Sequence, residues 1–304
     1  MPICSNMRSA HLKCWQKHRL TGSMRHAMGS EARQWQWVLD VEVCAADWLA
    51  KETGLSKGRV KDAMNKGAVL LKRGRQPEKR LRRATFRLLP GDRLALNHDP
   101  EILACTLEQT PVLISEQGDV LEVYKPVGWL SQGSPWGDHL SVERWLQTQG
   151  YPDARVVHRL DRETAGVMLY ARRRHVAGTL NQLFQNRRVR KLYLARVAGH
   201  CPEPMTVQEP LDGKSSVSHV RPLIKQDPAL VEVDIETGRF HQVRRHLAHM
   251  RLPVLGDPRY GEGNAHPDGL HLVAYRLIYP WKGQLRDVRI PESLMPPWSI
   301  APDA

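Results

Sequence analysis

The second half of the chain alternates between apolar and polar residues in several short stretches. In residues 231–236, three β-branched residues alternate with three acidic residues, which is the two-residue period of a strand with one face in water. Further strand patterns occur at residues 120–124, 166–171, 191–197 and 271–279. Together these patterns predict a sheet with one partly solvated face.

Helical patterns are fewer, and they do not alternate regularly with the strands. Two stretches carry an apolar stripe with the period of an amphipathic helix. The stripes comprise Val176, Leu180, Leu183 and Phe184 in the first stretch and Val243, Leu247 and Met250 in the second. Irregular alternation of this kind predicts an α+β fold with a largely antiparallel mixed sheet.

The chain is predicted to divide into a leader, a small domain, a linker and a main domain. Residues 1–40 lack a sustained apolar period and are expected to be a disordered leader, with Met24 and Met28 as alternative translation starts. Residues 99–111 contain two prolines and are expected to be a linker. Residues 112–304 form the predicted main domain.

Residues 41–98 predict a small domain of mixed helix and strand. Apolar spacing favours two short helices, with Ser56 as the N-cap of the second. Strand patterns follow at residues 69–71 and 94–96. The segment therefore has the pattern of a folded module.

Charge is concentrated in this small domain. The chain has 304 residues and a formal net charge of +13, from 45 Lys and Arg against 32 Asp and Glu. Between Lys51 and Arg93 there are 14 basic and 4 acidic residues. A patch of this density favours a polyanionic partner, with nucleic acid first, over the alternative of a merely solubilising face.

Cysteine usage and hydropathy bound the compartment. The five cysteines are scattered, odd in number and without a Cys-x-x-Cys pair, which predicts reduced thiols and neither a disulfide frame nor a zinc site. No apolar run approaches the length needed to span a membrane. We therefore expect a cytoplasmic protein with no membrane partner, and no obligate protein partner is indicated.

Three histidines fall close together near the second helical stripe. His241, His246 and His249 are predicted to lie on one helix, where their offsets bring His246 and His249 together and rotate His241 away. No carboxylate-rich motif accompanies them. The sequence therefore predicts no metal site.

A single carboxylate stands between arginines in residues 157–166. Asp161 lies between Arg159 and Arg162, directly before a glycine-led apolar strand. Alone, this cluster is typical of a structural ion pair at the edge of a strand. Further blocks elsewhere in the chain change that interpretation.

These blocks lie at residues 123–128, 190–197 and 237–247, the last followed by residues 255–261. In order and spacing, they and the Asp161 segment resemble the RluA-type pseudouridine synthases. The resemblance covers residues 112–282, and several ordered blocks are far more specific than any one of them.

The resemblance implies roles for three residues. Asp161 corresponds to the catalytic aspartate of the family, and Arg239 to the arginine that pairs with it and keeps it charged. Tyr193 corresponds to the tyrosine that lies against the extracted uracil, where its ring stacks and its hydroxyl can relay a proton.

Two further arginines are implied to contact RNA. Arg159 corresponds to an arginine that, in some family members, fills the gap left by the extracted base. Arg162 is expected to pair either with an RNA phosphate or with the neighbouring Glu163.

The implied reaction needs no cofactor and no metal. Forming pseudouridine breaks the bond between ribose and a ring nitrogen of uracil, turns the base and rejoins it through a ring carbon. The requirements are an ionised carboxylate in a pocket that excludes water and a way of unstacking the base. The carboxylate acts either as nucleophile or as base.

The small basic domain has a resemblance of its own. Residues 55–60, 67–69 and 89–92 resemble the small RNA-binding domain named after a ribosomal small-subunit protein. In that fold a helix presents cations to the RNA backbone. The corresponding cations in this sequence are Lys57, Arg59, Lys61 and Lys66.

The leading hypothesis is thus isomerisation of uridine to pseudouridine in structured RNA. Ribosomal RNA is favoured over transfer RNA, because an added RNA-binding domain suits a large folded target. The alternative is a catalytically inactive RNA-binding or ribosome-assembly factor, against which the intact Asp161, Tyr193 and Arg239 argue. A metal-dependent RNA hydrolase would need clustered carboxylates or histidine ligands, which the sequence does not provide.

Overall fold

The structure, a computed structural model, describes residues 32–300. It divides into two compact units. The first comprises the described residues up to Glu108 together with Gln132–Trp145. The second comprises Gln109–Ser131 and the described residues from Leu146 onward.

The first unit carries a four-stranded sheet, a two-stranded sheet and three helices. Its strands are β1 (Arg33–Val38), β2 (Val43–Cys44), β3 (Val69–Lys72), β4 (Lys79–Arg80), β5 (Arg87–Leu88) and β6 (Arg93–His98). Its helices are α1 (Ala45–Thr53), α2 (Lys57–Asn65) and α3 (Pro100–Ala104). The larger sheet has the order β1-β6-β3-β4, and β2 pairs with β5.

The two predicted helices of this unit are confirmed, together with the cap of the second. α1 ends at Gly54, whose left-handed φ of 72° is the usual geometry of a helix C-cap. The Ser56 hydroxyl accepts a hydrogen bond from the backbone N–H of Arg59 and so caps α2. Buried Leu49 and Val60 face the unit's core from the two helices.

The predicted leader is wrong for its last residues. β1 pairs along its whole length with β6, from Arg33 opposite His98 to Val38 opposite Arg93. The rings of Trp35 and Trp37 pack against the core, which gives the strand apolar surface to bury. Residues 1–31 lie outside the described part of the chain.

The predicted linker also contains regular structure. α3 begins after Asp99, whose carboxylate accepts hydrogen bonds from the backbone N–H groups of Glu101 and Ile102. Buried Leu103 joins the core of the first unit. Pro100 occupies the first helical position, where a backbone N–H has no partner within the helix. The proline therefore begins a helix at this point and does not mark a linker.

The second unit is built on one large mixed sheet. Its strands are β7 (Val112–Gln117), β8 (Val120–Lys125), β9 (Arg155–Val156), β10 (Ala165–Ala171), β11 (Arg190–Val197), β12 (Met205–Val207), β13 (Ser218–Ile224), β14 (Ala229–Ile235), β15 (Leu272–Trp281) and β16 (Gln284–Arg289). The further helices are α4 (Val142–Thr148), which crosses the division between the units, α5 (Arg174–Gln185) and α6 (Gln242–His249). Two 3-10 turns follow at Glu292–Leu294 and Pro297–Ser299.

The strand order is β12-β13-β14-β11-β15-β10-β8-β7, with β16 on β15 and β9 on β10. Among the described strands, β10 and β15 form the one parallel pair. The α+β class, the strands predicted from alternation and the two helical stripes are therefore confirmed. Within residues 32–300 no helix has both the length and the apolar character required to cross a bilayer.

The alternating segment within β14 shows why its pattern has two faces. Its apolar side chains join the core cluster that also holds residues of α6. Its acidic side chains lie in ion pairs, Glu232 with Arg221 and Asp234 with Arg190. The face of β14 that was predicted to be solvated therefore carries ion pairs between neighbouring strands.

Gly166 lets β10 approach β15 closely, next to the end of the Asp161 segment. Its φ is 150°, and a Cβ at this position would lie 2.4 Å from the carbonyl oxygen of Ala274. That neighbour is backbone and cannot turn aside as a flexible side chain would.

We predict that Gly166→Ala lowers the free energy of unfolding by at least about 1–3 kcal/mol, from strain and overlap. Gly178→Ala is the matched control, because Gly178 lies within α5 with no atom near its Cβ position. The control should be stabilised by about 0.5–1 kcal/mol. Denaturant unfolding measures both, and equal stability of Gly166→Ala and the unsubstituted protein would contradict the close approach.

Candidate active site

Asp161 lies in the loop between β9 and β10, with its side chain 26% exposed. Burial raises the pKa of its carboxyl to about 6, and the charge of Glu163 adds to the rise. The cations Arg244, Lys125 and Arg159 act in the opposite direction, with Arg244 the strongest of them. The carboxylate is therefore ionised at neutral pH although it is largely shielded from water.

Lys125 anchors the C-terminal side of this loop. Its ammonium group is fully buried and donates to the carbonyl oxygens of Pro126 at 3.1 Å, Trp129 at 2.9 Å and Arg162 at 3.3 Å. The backbone N–H of Gly128 donates to the same Arg162 carbonyl at 2.8 Å. The residue directly after Asp161 is thus tied to the end of β8 by two donors.

Ser131 anchors the N-terminal side. Its hydroxyl donates to the carbonyl of Leu160 and accepts from the N–H of the same residue, both at 3.0 Å. Within the loop, the Thr164 N–H donates to the carbonyl of Asp161 at 3.1 Å. The backbone on both sides of Asp161 is therefore held by hydrogen bonds, mostly from the side chains of Lys125 and Ser131.

Arg244, on α6, is the strongest positive influence on Asp161. Its guanidinium is 3% exposed and makes a two-pronged ion pair with Asp257, which is fully buried. The two N···O distances are both 2.7 Å. Asp257 also accepts the backbone N–H groups of Arg259 and Tyr260, so the arginine is held in place by a fully bonded partner.

Arg239 does not occupy the position predicted for it. Its side chain donates through Nε to the carbonyl of Ser215 at 3.1 Å, and its backbone N–H donates to Oε1 of Gln242 at 3.0 Å. The turn before α6 directs Arg239 to this loop carbonyl. We therefore correct the predicted pairing: Arg244 supplies the charge that acts on Asp161.

His241 precedes α6 instead of lying on it, which corrects the prediction for this histidine. Its backbone is left-handed with φ 53°, and its Nε2 lies 3.7 Å from Oδ1 of Asp161. Burial and the charges of Arg244 and Arg259 lower its pKa to about 4. The imidazole is therefore neutral at pH 7, with Nδ1 at 3.1 Å from the Tyr260 hydroxyl.

Tyr193 is brought to Asp161 by β11. Burial raises the pKa of its hydroxyl, and the negative charge of Asp161 raises it further. The ring packs against the apolar cluster that includes Val243 and Leu247 of α6. The phenol thus stays protonated beside the carboxylate.

The two arginines beside Asp161 differ in their surroundings. Arg159 is exposed, and its charge acts on Asp161. Arg162 places its guanidinium 3.2 Å from Glu163, which is the second of the two partners expected for it.

Phe240 is a neighbour that the sequence did not assign to the site. Its ring is 57% exposed and stacks on His241 with 3.8 Å between ring centroids. The guanidinium of Arg259 lies 5.6 Å from the centre of the phenyl ring. Phe240 lies between Arg239 and His241 in the sequence. A large apolar side chain between these two polar residues was the signal that could have indicated its place at the site.

In the first unit, the predicted cations lie on α2 and at its C-cap. Lys57 pairs with Asp47 at 2.8 Å, and Lys66 pairs with Asp62 at 2.9 Å. Arg59 and Lys61 are exposed on the same helix. These last two are the better candidates for contact with a polyanion.

Comparison with known proteins matches a stretch that lies mostly in the second unit. The family model described as RNA pseudouridylate synthase matches residues 119–249. An uncharacterised RNA pseudouridine synthase of Chloroflexus aurantiacus is 33% identical, over 55% of this chain and 61% of that protein. Ribosomal large subunit pseudouridine synthase D of Xanthomonas campestris is 34% identical, over 52% of this chain and 54% of that protein.

Two further comparisons cover more of the matched protein. tRNA pseudouridine synthase C of Yersinia pestis is 35% identical, over 49% of this chain and 70% of that protein. The structure of human RNA pseudouridylate synthase domain containing 1 matches with a TM-score of 0.53 and 25% identity, over 62% of this chain and 85% of that one. The chain therefore belongs to the RluA-type family of RNA pseudouridine synthases.

We predict that Lys125→Met loosens the Asp161 loop. Loss of three hydrogen bonds from a charged donor should speed amide hydrogen exchange in residues 160–164 by at least about tenfold, since each such bond contributes about 1 kcal/mol or more. Lys191→Met is the control, because Lys191 is also buried but donates to the carbonyl of Glu236 instead of to the Asp161 loop. Equal exchange of the loop in the two variants would contradict the anchoring role.

Proposed function

We propose that this chain isomerises uridine to pseudouridine in RNA, with Asp161 as the reacting carboxylate. The observation that carries the proposal is a shielded carboxylate that stays ionised at neutral pH beside a protonated tyrosine. Pseudouridine synthesis needs this combination, because the carboxylate must act on the sugar or on a proton while water is excluded.

The positions of the neighbouring groups support the roles that we propose for them. Tyr193 offers a flat ring on which an extracted uracil can stack, and a hydroxyl that can pass a proton. Arg244 favours the charged form of Asp161 in which the carboxylate begins the reaction. Arg159 is exposed beside the carboxylate and is suited to fill the gap left by the base.

The overall reaction balances within the nucleotide itself. The bond from the sugar carbon to the ring nitrogen breaks, and a bond from the same sugar carbon to a ring carbon forms. The proton lost from that ring carbon is matched by one gained at the ring nitrogen. Neither an oxidant nor a metal-bound group is needed for this exchange.

Ribosomal RNA is the proposed substrate class, with transfer RNA as the alternative. The printed names of two relatives refer to the ribosomal large subunit and to tRNA. The concentrated positive charge of the first unit favours the larger folded target. We expect the protein to work in the cytoplasm, in keeping with cysteines that are predicted to be reduced thiols.

The direct test is Asp161→Asn. The change keeps size and hydrogen-bonding capacity but removes the charge, so pseudouridine formation should fall by at least about 100-fold. RNA affinity should change by less than about threefold. The matched control is Asp153→Asn, at an exposed aspartate in the turn before β9.

Mass-spectrometric counting of pseudouridine in RNA treated with each purified variant provides the measurement. Near-normal product from Asp161→Asn would refute the assignment of the carboxylate. Absence of product from the unsubstituted protein on both ribosomal and transfer RNA would favour the inactive RNA-binding alternative.

We further propose that α2 of the first unit binds the RNA backbone through Arg59 and Lys61. If Arg59 and Lys61 each contact one phosphate, the double variant Arg59→Gln, Lys61→Gln should bind duplex RNA with a slope of log affinity against log salt that is smaller by about 1.8. Lys225→Gln with Lys282→Gln removes the same charge from the second unit and serves as the control. Identical slopes for the Arg59/Lys61 double variant and the unsubstituted protein would show that these cations form only a solvated face.

A further inference from the structure

A second cluster of chemically active side chains lies in the segment that leads into β15. His266, Asp268 and His271 each offer one ligand-type atom, and the three atoms lie within 4.8 Å of one another. No contact described above for the Asp161 site uses any of them. Their spacing in the chain, His-x-Asp-x-x-His, was not singled out by the sequence patterns.

His271 is the residue that calls for an explanation. Its side chain is 3% exposed, and neither ring nitrogen has a hydrogen-bond partner among the described residues. Trp298 stacks on the ring with 4.8 Å between centroids and an interplanar angle of 4°. A buried imidazole without partners is costly, so a ligand for one of its nitrogens would relieve a real deficit.

His266 provides the second imidazole. Its ring meets that of His271 at an angle of 62° with 4.2 Å between centroids. Its Nδ1 lies 3.8 Å from Oδ2 of Asp268 and accepts a hydrogen bond at 3.3 Å from the backbone N–H of the same residue, so the nitrogen that it can offer an ion is Nε2. Two ligand atoms that share a zinc ion at bonds of about 2.0–2.2 Å lie roughly 3–3.5 Å apart, so the three ligand-type atoms, which lie within 4.8 Å of one another, must approach each other by at most about 1–2 Å.

The segment contains two glycines whose backbone can adjust. Gly263 precedes the ligands and Gly269 lies between Asp268 and His271; their φ values are 72° and 78°. His266 and Asp268 are themselves exposed, whereas His271 stands at the fixed start of β15. His266 and Asp268 can therefore move towards His271.

We propose that His266, Asp268 and His271 bind a divalent zinc-class ion that fastens this segment to β15. Two imidazoles and one carboxylate are a donor set that zinc accepts, with water in the fourth position. The ion would act on the structure of the segment and takes no part in the reaction at Asp161.

The test uses the full-length protein, stripped of metal by dialysis against a chelator and then titrated with zinc sulfate alone. The unsubstituted protein should bind one more zinc per chain than Asp268→Asn or His266→Ala. At zinc about 100-fold above the dissociation constant, its Tm should rise by about 5–10 °C, and the two variants should lack this rise. Both changes are at exposed positions, so the fold should survive them.

His175→Ala is the control, because His175 is an exposed histidine on α5. It should bind as much zinc as the unsubstituted protein. Zinc taken up by cysteines or by other histidines appears equally in all four proteins and cancels in the comparison. Equal zinc stoichiometry and equal Tm shift in the unsubstituted protein and the Asp268→Asn variant would overturn the proposal, whatever the activity on RNA.

Discussion

The second unit depends on keeping one carboxylate both shielded and charged. Burial alone drives the pKa of Asp161 upward and would neutralise it in a drier site. The cations Arg244, Lys125 and Arg159 offset part of that effect and leave the pKa at about 6. Burial also disfavours the charged form of Lys125 and lowers the pKa of its amino group to about 7.

The two strongest restraints on the site come from different parts of the chain. Lys125 fixes the backbone after Asp161, whereas Arg244 fixes the electrostatic environment through its ion pair with Asp257. Removing one partner of a buried pair like this costs about 3–5 kcal/mol, because a buried charge is then left uncompensated. The Arg244–Asp257 pair thus joins α6, the turn at Tyr260 and the Asp161 loop into one arrangement.

Much of this could be predicted from the sequence, because local patterns carry it. Alternation within β14 and the stripes of α5 and α6 predicted the elements. The ordered blocks made Asp161 and Tyr193 candidates for the site, and the charge of Asp161 acts on Tyr193 in the structure. The pairing arginine could not be read in the same way. Whether Arg239 or Arg244 faces Asp161 is decided by the left-handed backbone at His241 and by the hydrogen bond from Arg239 N–H to Gln242, which are tertiary features.

The predicted domain boundaries were wrong at β1 and at α3. β1 is a strand because β6 lies beside it and the core accepts Trp35 and Trp37, while the rest of its sequence, apart from Val38, is polar. The helix α3 is a single short element whose start rests on the cap at Asp99. The pairing of β1 with β6 cannot be read from the β1 segment alone, whereas the Asp99 cap followed by Pro100 is a local signal for a helix start that the linker prediction did not use.

The claim that Asp161 is shielded yet charged is tested most directly by measuring the pKa of its carboxyl in the folded protein. Carbon-detected NMR of protein labelled at the aspartate carboxyl carbon follows its titration, and comparison with an asparagine variant assigns the signal. The account predicts a pKa of about 6, with the group ionised above that pH and protonated below it. A value near 4, the ordinary range for an exposed aspartate, would contradict the claim that this carboxylate is shielded and held charged by Arg244 and Lys125.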